Sequence, residues 1–257
     1  MARKAKPIVS STGGTPLGGA LPTAINSSID RFLAIQRPVV LAHVRGIRKR
    51  HPQVSPEELI RILERRYLAA VTTSGAAVGI TAVVPAIGTG ITLVLSGAET
   101  AAFLEATALF TQSLSEVHGI AVEDPERARA LVLTMMLGRE GSDLVRQLAG
   151  EAVGSGTSRK TYWGELITSS LPAAIVSPLA DRLRGAFVRR FAIRGSTGIL
   201  ARAIPFGVGA VVGGVGNNVL GRRVVHSSRL AFGPPPADFS PALGGLPRVI
   251  TLPPERR

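Results

Sequence analysis

The longest apolar stretch, Leu68 to Ala98, runs 31 residues without a charge; Arg65 and Arg66 precede it and Glu99 follows it. Its length meets the requirement of about 20 apolar residues for a membrane span. Gly75, Gly79, Gly88, Gly90 and Gly97 punctuate it, and Pro85 sits near its middle. Proline lacks an N–H and its ring collides with the preceding turn, so a helix ends or kinks close to Val84. The pattern predicts two helices meeting at Pro85-Ala86-Ile87-Gly88. The first begins at Pro56, with Ser55 as N-cap and acidic Glu57 and Glu58 in the first turn, and reaches about Val83. The second runs from Gly88 or Gly90 to about His118, where Gly119 supplies a left-handed cap. Gly75-x-x-x-Gly79 permits close helix approach, in a membrane or in a tightly packed soluble bundle. Both settings fit the pattern.

A second charge-free run, Ala203 to Gly221, spans 19 residues, with Arg202 before it and Arg222 and Arg223 after it. It contains Pro205 and Gly209-x-x-x-Gly213. Positive charge at both ends argues against a simple span and for a shallow re-entrant hairpin or a buried helix. Asn217 and Asn218 within it need hydrogen-bond partners.

Elsewhere a helix from Pro22 is expected to break or kink at Pro38 and to continue into the basic run Arg45 to His51, which Pro52 stops. Asp124-Pro125 opens a helix that Gly138 ends. A short helix follows from Gly141 to Leu148, then a flexible linker through Thr161, then a piece from Leu166 to Leu171 that Pro172 breaks. Pro178 opens a helix over Leu179–Ile193. Its Leu179, Leu183, Phe187 and Phe191 recur every fourth residue, and Arg182, Arg184, Arg189, Arg190 and Arg194 surround them. Such a helix suits a membrane interface or an ordinary bundle surface. Residues 1–21 read as a disordered basic tail. Residues 22–232 read as one all-helical domain. Residues 233–257, with seven prolines, read as a disordered Pro-rich tail. The expected fold is all-α, a multi-helix bundle with two glycine-rich apolar helical hairpins between disordered N- and C-terminal tails.

Charge sharpens this picture. The net charge is +13, and such a surface attracts anionic lipid or nucleic acid. Aromatics are 4% and no nucleic-acid motif occurs, which makes nucleic acid the weaker partner. Mean hydropathy is +0.28, high for so charged a chain. No cysteine is present, so disulfides, thiolate catalysis and cysteine zinc sites are excluded. The basic N-terminus is not followed by an apolar signal core, so a cytosolic start is expected.

Several segments resemble the EcsC protein family. They are Val84-Pro85-Ala86-Ile87-Gly88 leading to Glu99, then Glu116-Val117-His118-Gly119. Further on they are Ala203-Ile204-Pro205-Phe206-Gly207-Val208-Gly209, Asn217-Asn218, and Leu230-Ala231-Phe232. The resemblance covers about Leu59 to Phe232. It implies an α-helical, membrane-associated bacterial protein of no established activity. The founding member is encoded beside an ABC transporter, so the resemblance raises a membrane protein or transporter as a partner. It carries over no catalytic residues.

Candidate chemistry is sparse. His43, His51, His118 and His226 form no metal-ligand spacing, and neither metal nor cofactor is expected. Residues 154–161 read GSGTSRKT, but Arg159 stands where a phosphate loop has glycine and no apolar strand leads in, so a flexible basic loop is expected. No Gly-x-Ser-x-Gly elbow occurs. The chain is therefore expected to be a non-enzymatic protein on the cytosolic face of the cytoplasmic membrane. Gly75, Gly79, Pro85, Gly88, Gly90, Pro205, Gly209 and Gly213 are its membrane-embedding candidates. Arg65, Arg66, Arg189, Arg190, Arg222 and Arg223 are its candidates for anionic lipid headgroups. Glu99 is expected to be a structural acid at the hairpin exit, paired with an arginine such as Arg66 or Arg202. The alternative is a soluble, peptidase-like helical hydrolase with the apolar hairpins as its core.

Overall fold

The computed structural model describes the backbone of residues 35–81, 89–153, 162–201 and 208–244, and the side chains of 35–75, 102–150, 162–189 and 214–244. The predicted break at Pro85-Gly88, the N-terminal tail and residues 22–34 lie outside the described residues. What is described is all-helical, with no strand among the described residues.

Helix α1, Arg37–Arg50, holds Pro38 within its first two positions. The expected break falls here: Ile35 and Gln36 are not helical, and proline suits the start that follows because its missing N–H would have no intrahelical partner anyway. Arg48, Lys49 and Arg50 fill the last turn, where the dipole favours cations. Helix α2, Pro56–Thr81, opens with the expected capping box. The Glu58 N–H donates to Ser55 Oγ at 3.3 Å, and the Ser55 N–H donates to Glu58 Oε2 at 3.0 Å. Helix α3, Thr89–Val117, ends as predicted at Gly119, whose φ of 75° only glycine adopts freely. Helix α4, Pro125–Leu137, is capped by Asp124 Oδ1, which accepts from the Glu126 N–H at 2.8 Å.

Helix α5 starts directly after Gly138 and covers Arg139–Val153. It is longer than expected, because Leu148 and Ala149 are buried and continue its apolar face. The expected linker is thus helical up to Val153, and residues 154–161 lie outside the described set. One turn of α-helix, α6 (Trp163–Glu165), runs into a π turn at Leu166–Ser170. Arg127 satisfies carbonyls at this break, donating to Ile167 O at 2.7 Å and Leu171 O at 2.8 Å.

Helix α7, Ala173–Ala201, starts upstream of the expected position and runs through Pro178. Pro172 supplies the start, its carbonyl accepting the Ile175 N–H at 2.9 Å. Pro178 forfeits one bond to Ala174, and burial of Val176, Leu179, Ala180 and Leu183 on a single face carries the helix across it. Helix α8, Val208–Phe232, continues past the second charge-free run.

Helix α4 is the central element, buried along Ala130–Leu133 and at Met135 and Leu137, and it packs on α3, α5, α7 and α8. Helix α2 packs along both α3 and α8.

The expected tail is shortened at its start. Residues 233–244 form a strap ending in a 3-10 turn, Pro241–Leu243. Leu243 is 3% exposed. Arg48, itself 8% exposed, places its guanidinium 4.0 Å from the Phe239 ring centroid and donates to Leu243 O at 2.7 Å. Arg45 donates to Ala242 O at 2.6 Å. Proline-rich composition does not prevent order where side chains from the bundle bind the carbonyls.

Candidate membrane-facing surface

Three cross-links set how α2 and α8 lie together. Arg229 donates through Nε and Nη2 to both carboxylate oxygens of Glu64, at 2.9 and 2.7 Å. Gly221 meets Leu68 and Val71 so closely that a Cβ there would lie 3.0 Å from each. Asn218 donates to Thr72 Oγ1 at 2.8 Å. Numbers rise on α2 as they fall on α8, so the helices are antiparallel. Leu68 is the first residue of one charge-free run and Gly221 is the last of the other. From that contact towards Thr81 and Val208, neither helix carries a charge. Only seven residues separate Thr81 of α2 from Thr89 of α3; with Tyr67 stacked on Phe110 at a ring-centroid distance of 4.5 Å and bonded to Thr107 at 2.9 Å, so short a link reaches only if the two helices run antiparallel. The charge-free start of α3 therefore belongs to the same end of the bundle.

On the other side of the Leu68–Gly221 contact sit Arg65, Arg66, Arg222 and Arg223, all exposed. Towards the charge-free end the same surface presents Ala69, Ala70 and Thr73 of α2, all exposed. From α8 it presents Val215 and Val219, 57% and 44% exposed. Gly75 and Gly214 are buried at this level, as a close helix pair requires. Burial pushes the His43 imidazole of α1 below its usual range, and the charges of Arg66 and Arg50 push it the same way.

Other expected residues lie elsewhere. Arg189 is exposed on α7, which packs chiefly on α4 and α5. Gly79 lies on α2, Gly90 and Glu99 on α3, Arg190 on α7, and Gly209 and Gly213 on α8; the side-chain surroundings of all six are outside the described set, and with them the expected Glu99 pairing. Pro85, Gly88 and Pro205 are likewise outside it.

Sequence reasoning identified Asn218 as needing a partner but not which one. Besides reaching Thr72, its Oδ1 accepts from Arg222 Nε at 2.8 Å. Thr72 in turn donates to Leu68 O at 2.6 Å. A guanidinium can only donate, so the amide oxygen must face it and the whole chain of bonds has one direction.

His118 is stacked on Phe232 with centroids 5.1 Å apart, and burial pushes its imidazole down to about 4. No group of three His, Asp or Glu side chains that could hold a metal occurs among the described residues. Among the described residues, no helix is long and apolar enough to cross a membrane. No protein-family model, curated protein or solved structure matches the chain.

Proposed function

We propose that this protein is a non-enzymatic, membrane-associated helical protein of EcsC type, acting at the cytosolic face of the cytoplasmic membrane. The charge-free ends of α2, α3 and α8, with the glycine-rich hairpins they lead into, enter the interfacial region. The arginine belt holds anionic headgroups. A membrane protein, such as a transporter, is the partner class the EcsC resemblance brings.

One observation carries this reading. Arg65, Arg66, Arg222 and Arg223 bound an exposed patch of Ala69, Ala70, Val215 and Val219 at the point where one charge-free run begins and the other ends. Single exposed valines are ordinary, but two on one helix face beside exposed alanines form an apolar patch of the kind that marks an interaction surface. An interfacial element puts apolar side chains towards the acyl boundary and arginines at the headgroups. Each arginine near an anionic leaflet contributes about 1 kcal/mol.

The test is fractionation of the expressed protein, its membranes washed in turn with high salt, alkaline carbonate and detergent. Release only by detergent is expected if the apolar ends are embedded. Release by salt would assign binding to the arginines alone. A protein soluble from the outset overturns the reading. Val215→Glu with Val219→Glu, both at exposed positions, should shift the protein to the soluble fraction while leaving it folded.

A further inference from the structure

Arg222 differs from the other arginines of the belt in being held. Its Nε is committed to Asn218 Oδ1 at 2.8 Å, and Asn218 is itself held across the helix pair by Thr72, whose hydroxyl is tied to Leu68 O. Among the described residues, no carboxylate pairs with it. With Nε occupied, the edge of the guanidinium that remains is the one formed by Nη1 and Nη2. That edge matches two oxygens of one phosphate. Val219 and Val215 lie one and two turns away on the same exposed side of α8, towards the charge-free end.

We propose that Arg222 is a preset clamp for the phosphate of a lipid headgroup, with Asn218 and Thr72 as positioning residues and with Val215 and Val219 against the glycerol and acyl part. The clamp rests on the membrane-facing reading of this surface. A lipid is favoured over free phosphate because a phosphate ion would use only the guanidinium, whereas the adjoining exposed valines extend the site in the direction an acyl chain takes. A fixed guanidinium loses less side-chain entropy on binding than a free one, so the arrangement adds affinity through geometry as well as charge.

The test is co-sedimentation of the full chain with vesicles of phosphatidylcholine alone and of phosphatidylcholine with phosphatidylglycerol. It is run on the parent protein, Arg222→Lys, Asn218→Ala, and Arg182→Lys, a charge-preserving change on α7 as control. All four proteins keep the same net charge. Arg222→Lys and Asn218→Ala should each weaken binding to the anionic vesicles roughly threefold to tenfold, as when a paired guanidinium contact becomes a point charge or a free rotor. Arg182→Lys should bind as the parent does. Arg222→Lys alters only an exposed side chain, so it remains informative if Asn218→Ala disturbs folding. Parent-like binding by Arg222→Lys would overturn the clamp while leaving charge-driven membrane association standing. No vesicle binding by the parent would overturn both. Inorganic phosphate at constant ionic strength should leave vesicle binding nearly unchanged; strong competition would make the site a free-phosphate site and overturn the lipid assignment.

Discussion

Leu68 and Gly221 touch: a Cβ on Gly221 would stand 3.0 Å from Leu68 Cδ2 and 3.0 Å from Val71 Cγ2. The contact sets the separation of α2 and α8, and it aligns the boundaries of the two charge-free runs. Gly221→Val should therefore force the helices apart, at a cost of about 1–3 kcal/mol for overpacking. Gly221→Ala should cost less, because better helix propensity offsets the crowding by up to about 1 kcal/mol. Thermal or urea unfolding of both variants checks this, and a valine variant as stable as the parent would contradict the close approach.

The Glu64–Arg229 pair joins the same two helices from the other side of the arginine belt. The Glu64 side chain is nearly buried, whereas that of Arg229 is mostly exposed. Arg229→Ala leaves a carboxylate desolvated without its two donors, and should cost roughly 1–3 kcal/mol. The double change Glu64→Gln with Arg229→Gln should recover part of that loss. A double-mutant cycle of Glu64→Gln, Arg229→Gln and the double variant on unfolding free energies gives the coupling.

The strap should depend on one side chain. Arg48→Met keeps the aliphatic stem but removes the donors to Leu243 and Gly244 and the cation over Phe239. The expected outcome is loss of about 1–3 kcal/mol, with the effect concentrated in the strap. Limited proteolysis should then cut within residues 233–244 at a rate well above the parent's, while the helical core stays protected. Equal cleavage in both proteins would show that Leu243 burial alone holds the strap.

His118 gives the fold an acid-sensitive component. Its folded value of about 4 lies below the ordinary 6.5 because burial penalises the imidazolium. Between those values the unfolded chain binds the extra proton, so stability rises with pH there. The contribution is fully present above about 6.5 and is lost as pH falls towards 4. With the ring partly exposed, the loss is discounted to roughly 1–2 kcal/mol. His43 is displaced in the same direction and adds to it. His118→Phe, which keeps an aromatic against Phe232, should flatten the decline measured by unfolding at a series of pH values. An unchanged profile would place the sensitivity elsewhere.

Membrane binding, if it follows the arginine belt, should weaken with salt and with each lost cation. Arg65→Gln with Arg66→Gln should lower affinity for anionic vesicles by about tenfold or more at low ionic strength, from about 1 kcal/mol per residue. Arg189→Gln, outside the belt, should change it less. Equal effects from both would mean that net charge, and not the α2–α8 surface, drives binding.

Much of the helical layout is written locally. Ser55-Pro56-Glu57-Glu58 and Asp124-Pro125 start α2 and α4, and Gly119 and Gly138 follow the ends of α3 and α4, because each signal acts through bonds to residues no more than about one turn away. Pro38 starts a helix as its local pattern indicates, whereas Pro178 lies inside one, because proline suits a helix start as well as it punishes an interior and the burial of Val176, Leu179, Ala180 and Leu183 decides the second case. The two charge-free runs and their flanking arginines are visible in the chain as composition. Their meeting at Leu68 and Gly221 is not, and neither is the chain of bonds from Thr72 through Asn218 to Arg222. Those partners lie 146 residues apart along the chain, and only the packing of α2 on α8 brings them together. The strap follows the same logic. Its prolines announce an irregular segment, but its order comes from Arg45 and Arg48 on a helix at the opposite end of the sequence, which a local pattern cannot encode.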